Sequence, residues 1–175
     1  MKLNAGSGPG GGQYLEGWVN VDFVPPKGGV RADLFSLPFP DRTFEETRLV
    51  HVLEHVNRNR QVDLLKEMYR VTSDTFYVEV PDFILECENI IKAVAEPPGK
   101  MYHEKIRILT VGIFGKQRHT GDAHHWGFTE HFLEEQLKKA GWGTYARQLE
   151  PMISNHWKVE PVLLYRCSRE AMEDR

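Results

Sequence analysis

Two groups of residues here have the types and spacing to do chemistry. The first is a glycine run followed by two carboxylates. Gly6-Ser7-Gly8-Pro9-Gly10-Gly11-Gly12 comes directly after a short segment, KLNA. Glycine lets the backbone turn tightly and lets a ligand approach the main chain. Asp22 and Asp33 each close a candidate strand. A carboxylate at the end of a second strand can accept bonds from both ribose hydroxyls, and one at the end of a third can reach an adenine amino group. Alone, each is equally a turn former; with the glycine loop they outline a nucleoside pocket. The second group is histidine. His51-Val52-Leu53-Glu54-His55 fits H-x-x-E-H, a zinc-hydrolase pattern. That chemistry needs one helix presenting both rings, whereas His51 falls at a strand end and spacing supplies no third ligand. No metal is therefore expected, and His55 reads as a partly exposed helix residue. His119, Asp122, His124 and His125 lie close together beside Trp126. Histidine titrates near neutral pH and suits a general base. His125 is the expected base, with His124 or Asp122 as its substitute and Trp126 as a wall against water. The bland alternative is a polar surface loop.

These groups need strands and helices to place them. Strands are expected at residues 2–5, 18–22, 30–33 and 47–51, the last followed by a helical stretch. Residues 57–71 form a helix, with Val62, Leu65, Met68 and Tyr69 on one face and Asn57 or Asn59 as cap. Residues 75–80 alternate as a strand that stops at Pro81. Residues 84–95 are helical, and 97–127 form an irregular insert or lid. A helix at 129–140 takes Thr129 as N-cap and Gly141 as C-cap, with Phe132, Leu133 and Leu137 inward. Strands at 142–149 and 161–167 follow, and the charged end, 168–175, is expected to fray.

Strands alternating with helices give an α/β domain: a single Rossmann-like three-layer unit over residues 1–175, mostly parallel. The last two strands lack a connecting helix, so one runs antiparallel. At 175 residues there is room for one domain. A net charge of −3 without a basic stripe argues against nucleic acid as partner. Two cysteines, no leader and no long apolar run suggest the cytoplasm and no membrane. No pattern speaks to oligomeric state.

Gly6, Gly8 and Gly11 also fit G-x-G-x-x-G. That fingerprint holds a pyrophosphate at a helix N-terminus, and residues 13–17 are too few for the helix. A ligand without phosphates suits the loop better.

The sequence resembles the class I S-adenosylmethionine-dependent methyltransferases, in particular the compact type 11-like group. The resemblance is carried by the glycine loop, "GWVNVD", "DLFSLPFPDRTFE", "HVLEHV" and "VPDF", over residues 3–83, and more loosely by "GFTEHFLEEQLKKAGW". It implies S-adenosylmethionine as cofactor, with Gly6, Ser7 and Gly8 at its methionine part, Asp22 at the ribose, Asp33 and Leu34 flanking the adenine, and His51 closing the pocket. Three features depart from the family. Asn4 stands where an acidic residue meets the cofactor's amino group. The helix before the first strand is missing, as is most of the next. Thr72-Ser73-Asp74 replaces the usual "KPGG" turn.

The function expected is methyl transfer to a small-molecule acceptor, such as a sugar or other cell-envelope precursor. The alternatives are a module that keeps the cofactor pocket but has lost catalysis, and an NAD-linked oxidoreductase, which the missing helix disfavours.

Overall fold

The computed structural model describes residues 1–8, 13–95, 99, 102–118, 120–148 and 161–169. Among these residues seven strands form one sheet: β1 (Lys2–Ala5), β2 (Val19–Asp22), β3 (Val30–Arg31), β4 (Phe44–Val50), β5 (Thr72–Pro81), β6 (Thr144–Gln148) and β7 (Val162–Ser168). Their spatial order is β3-β2-β1-β4-β5-β7-β6. β1 pairs in parallel with both β2 and β4, and β4 with β5. β7 enters between β5 and β6 and runs antiparallel to both. Leu3, Ala5, Leu49, Phe76 and Val78 are fully buried along these strands, as expected where a parallel sheet is covered on its faces.

The chain steps outward from β1 to β2 to β3, then returns to the other side of β1 for β4. Where strand order reverses, loops leave the C-terminal ends of β1 and β4 in opposite directions and open a crevice. The glycine loop and the H-x-x-E-H segment are those two loops.

The helices are α1 (Gln61–Val71), α2 (Phe83–Ala95), α3 (Tyr102–Phe114) and α4 (Glu130–Ala140). α1 packs against α4 and β5, and α2 against α3. α1 buries Leu64, Leu65, Met68 and Val71, so its inward stripe is centred one position off the expected one, with Val62 and Tyr69 at its margin. Asn57 does cap, but it caps a short 3-10 turn, Arg58–Arg60, by accepting from Asn59 N at 3.0 Å; α1 itself begins at Gln61.

No loop separates α1 from β5. The Thr72 hydroxyl donates to Met68 O at 2.6 Å and meets Thr47 Oγ1 at 2.7 Å. This side chain closes the helix end that a "KPGG" turn usually closes, and β5 starts three residues earlier than alternation suggested.

The segment 97–127 is more regular than expected, because it contains the 13-residue α3. Its apolar residues, among them Ile106, Ile108, Leu109, Val111 and Ile113, go round the helix rather than along one stripe, so periodicity hid it. Packing on α2 holds it: a Cβ on Gly112 would overlap the Glu86 side chain.

The α4 signals are local and act as expected. Thr129 Oγ1 accepts from Phe132 N at 3.3 Å, and Gly141 takes φ 98° at the C-terminal cap. Thr129→Ala should cost about 1 kcal/mol, the ordinary worth of such a cap, read as a lower urea midpoint with unchanged slope. An unchanged midpoint would show that α4 is held by Leu133 and Leu137 alone. The expected end at 168–175 lies largely outside the described residues.

Candidate functional site

A cavity of about 650 Å³ opens in the crevice between the β1 and β4 loops. Gly6 turns the chain out of β1 with φ 78°, and its N–H and that of Ser7 donate to Val21 O at 2.8 and 3.1 Å. A Cβ on Gly6 would overlap Val52 Cγ2, so the loop touches the β4 side of the crevice only because residue 6 has no side chain. Gly8, φ 67°, donates its N–H to Asp22 Oδ2 at 2.9 Å. The other Asp22 oxygen accepts from Val24 N at 2.8 Å. Each carboxylate oxygen can accept a further bond, and Asp22 lines the cavity. Asp33 Oδ1 accepts from Phe35 N at 2.9 Å, and Asp33, Leu34 and Phe35 all line the cavity. Ser7 lines it too, and its buried Oγ has no hydrogen-bond partner. Such a hydroxyl costs roughly 1–3 kcal/mol until a ligand satisfies it.

Asn4 does not line the cavity. It is buried beneath the loop, where its amide donates to Gln13 O at 2.6 Å and Asn20 Oδ1 at 2.8 Å. The residue expected near the cofactor's amino group is instead a clamp between β1, β2 and the chain leading to β2. Gly10, Gly11, Gly12 and His119 lie outside the described residues.

On the opposite wall, His51 takes a left-handed φ of 51° as β4 ends, a rare conformation for a side-chain-bearing residue. The kink leads into a 3-10 turn, Leu53–His55. His51 is therefore not on one helix with His55. Its ring lies between two buried carboxylates, Nδ1 3.2 Å from Glu54 Oε1 and Nε2 3.4 Å from Glu79 Oε1. Burial pushes the Glu54 carboxyl upward, but the His51 hydrogen bond, with the charge of the neighbouring imidazoles, holds it below the usual carboxylate range.

His55 turns the other way and meets His124, with ring centres 4.7 Å apart and the rings edge to face. His55 Nδ1 lies 3.1 Å from Ala123 O, and His124 Nδ1 2.9 Å from Gly112 O. A carbonyl only accepts, so each neutral ring carries its proton on Nδ1 and keeps a lone pair on Nε2. Burial draws His124 below the ordinary histidine value and favours its neutral form.

The histidine expected as base is elsewhere. His125 is exposed and does not line the cavity; its backbone N–H donates to Glu54 O at 2.8 Å. The two adjacent rings face different ways: His124 lines the cavity and His125 is exposed. Asp122 lines the cavity but is bound to Arg118, Nε to Oδ2 at 2.8 Å. Trp126 packs toward the core, 5.3 Å from Phe132, with the Arg58 guanidinium over its ring. Glu54 and His55, which the H-x-x-E-H pattern contains but which were not expected in the site, line the cavity.

Acidification should loosen this wall. His124, with its lowered pKa, stays neutral while the unfolded chain takes up a proton, so stability begins to fall below about pH 6.5. Glu54 contributes stability above about pH 4.5, lost as pH falls through its lower folded value. Urea midpoints measured from pH 8 to pH 4 should decline below about 6.5, and His124→Gln should flatten the upper part of the decline. An identical profile in that variant would remove His124 from the effect.

Residues 13–75 match the methyltransferase domain family. No curated protein matches the sequence. Among solved structures, the chain is similar to an S-adenosylmethionine-dependent methyltransferase from Archaeoglobus fulgidus, at 14% identity and TM-score 0.60, covering 95% of this chain and 85% of that one. It is also similar to an S-adenosylmethionine-dependent methyltransferase from Thermotoga maritima, at 16% identity and TM-score 0.57, covering 97% and 82%. A third is the 1,6-didemethyltoxoflavin-N1-methyltransferase of Burkholderia thailandensis with bound 1,6-didemethyltoxoflavin and S-adenosylhomocysteine, at 16% identity and TM-score 0.58, covering 97% and 71%. The fold is that of class I S-adenosylmethionine-dependent methyltransferases, and the match to the methyltransferase domain family is confined to residues 13–75. Among the described residues no helix is long and apolar enough to cross a membrane.

Proposed function

We propose that the chain binds S-adenosylmethionine in the crevice cavity and transfers its methyl group to a small molecule held against the Glu54–His55–His124 wall. One observation carries the reading: a cavity whose β1 side offers a glycine loop and two carboxylates, and whose β4 side offers two imidazoles with free lone pairs. The Ser7 hydroxyl and the loop backbone hold the methionine part, Asp22 the ribose, and Asp33, Leu34 and Phe35 the adenine. The cofactor supplies a methyl carbon on a sulfonium: the acceptor's lone pair forms the new bond to that carbon as the carbon–sulfur bond breaks toward sulfur, leaving S-adenosylhomocysteine. The protein's remaining work is to align the acceptor and relieve it of a proton.

The role expected of His125 passes to the wall. His124 faces the cavity, and a lone pair there can take a proton or hold a cation. The insert supplies the acceptor side, since Val111, Lys116, Arg118 and His124 line the same cavity. The acceptor proposed is small, a sugar or other cell-envelope precursor among the classes that fit. The second reading is a binding module that keeps the cofactor pocket without turnover.

Calorimetry with S-adenosylhomocysteine and with NAD tests the cofactor assignment. Saturable one-site binding of the first and none of the second is expected; the reverse would sink it. Release of S-adenosylhomocysteine in the presence of an acceptor separates enzyme from module.

A further inference from the structure

The H-x-x-E-H segment and His124 form a cluster that methyl transfer alone does not explain. One potential ligand atom from each of Glu54, His55 and His124 lies within 4.8 Å of the other two. Glu54 is 1% exposed, and its Oε2 has no hydrogen-bond partner. Its Oε1 is held by His51. The rings of His55 and His124 are each fixed through Nδ1 by a backbone carbonyl, Ala123 O and Gly112 O. Metal-binding histidines are supported in this way, with the second nitrogen anchored so that the first presents its lone pair.

We propose that Glu54, His55 and His124 bind a first-row divalent transition-metal ion at the acceptor end of the cavity. Two imidazoles and one carboxylate suit zinc and its first-row neighbours. Magnesium and calcium prefer all-oxygen sets. Bonding distance for zinc is about 2.0–2.2 Å, so atoms within 4.8 Å of one another need only local side-chain adjustment to share one ion. His51 is not a ligand. It orients Glu54, as a carboxylate or carbonyl partner does at other metal sites.

The placement gives the ion a use, and this part rests on the methyl-transfer reading. Three protein ligands leave coordination positions open toward the cavity. An acceptor with two neighbouring oxygens, such as a vicinal diol, can chelate there. The ion polarises the bound hydroxyl and lowers its pKa; its proton leaves to solvent, and the oxygen keeps the electron pair that attacks the methyl carbon. His124 then serves as ligand rather than base.

The probe is Co²⁺ added to the purified full chain after chelator treatment and dialysis. One equivalent should bind with visible d–d absorption, and the proton spectrum should show two solvent-exchangeable, paramagnetically shifted imidazole N–H signals, from His55 and His124. His55→Ala and His124→Ala should each weaken binding by about 100-fold or more, beyond the roughly 10- to 100-fold that loss of a supporting hydrogen bond costs. The double variant His103→Ala/His131→Ala, which removes two exposed rings outside the cavity, should bind as wild type. Absence of stoichiometric binding to wild type overturns the site. So does absence of the shifted N–H pair, which needs no variant to fold, and so does binding lost only with His103 and His131. S-adenosylhomocysteine calorimetry on the same sample keeps the two ideas apart. Cobalt binding without S-adenosylhomocysteine binding leaves the ion site standing and removes the methyl-transfer reading; the converse overturns the ion site alone.

Discussion

Gly6→Ala should lower stability by about 2–5 kcal/mol. Two costs add. A side chain held at the left-handed φ of 78° costs roughly 1–2 kcal/mol. The new Cβ also overlaps Val52 Cγ2, and forcing extra volume into packed surroundings costs typically about 1–3 kcal/mol. Urea denaturation measures the sum, and calorimetry should show weaker S-adenosylhomocysteine binding because Ser7 moves with the loop. The mechanism has its own check. Val52→Ala deletes the overlapping methyl, so Gly6→Ala/Val52→Ala should be less destabilised than the two single effects added, by about 1 kcal/mol or more of coupling. Strict additivity would mean that the two loops do not touch as described, and wild-type stability in Gly6→Ala would deny the left-handed turn.

The contact between residues 6 and 52 marks how far the sequence could be read. Features that depend on a few adjacent residues were legible. Thr129 and Gly141 cap α4 through bonds to backbone within four positions. The glycine loop, Asp22 and Asp33 follow their strands, and parallel order carries all three to one crevice. Long-range features were not legible. β7 enters the sheet between β5 and β6, an order that no local pattern encodes. α3 has apolar residues all round: α2 packs on one part of it, Val111 lines the cavity, and Ile108 and Phe114 stay exposed. The H-x-x-E-H segment was read against the requirement for a continuous helix. The left-handed turn at His51 breaks that helix and sends His51 and His55 to different partners. The third member, His124, arrives from the far side of α3, fixed by the carbonyl of Gly112. Choosing between His124 and His125 required knowing which of two adjacent rings faces the cavity, and only the folded chain shows that it is His124.

The carboxylate that ties the glycine loop also gives the strongest test of the cofactor site. Asp22→Ala should weaken S-adenosylhomocysteine by at least tenfold, since a hydrogen bond to a charged group is worth about 1.5–3 kcal/mol. Part of that loss has nothing to do with ribose. Asp22 already accepts from Gly8 N at 2.9 Å and Val24 N at 2.8 Å, so the alanine variant also frees the loop. Comparing ligands separates the two contributions. Wild type should prefer S-adenosylhomocysteine over its 2′-deoxy analogue by roughly tenfold, one charge-assisted bond's worth. In Asp22→Ala the preference should vanish, because the hydroxyl no longer meets a carboxylate, while both ligands weaken through the loosened loop. If the variant binds both ligands more weakly yet keeps the full preference, Asp22 holds the loop and another group meets the ribose. If affinity is unchanged in a folded variant, the nucleoside does not lie across the end of β2, and the orientation assigned to the whole cofactor must be reversed.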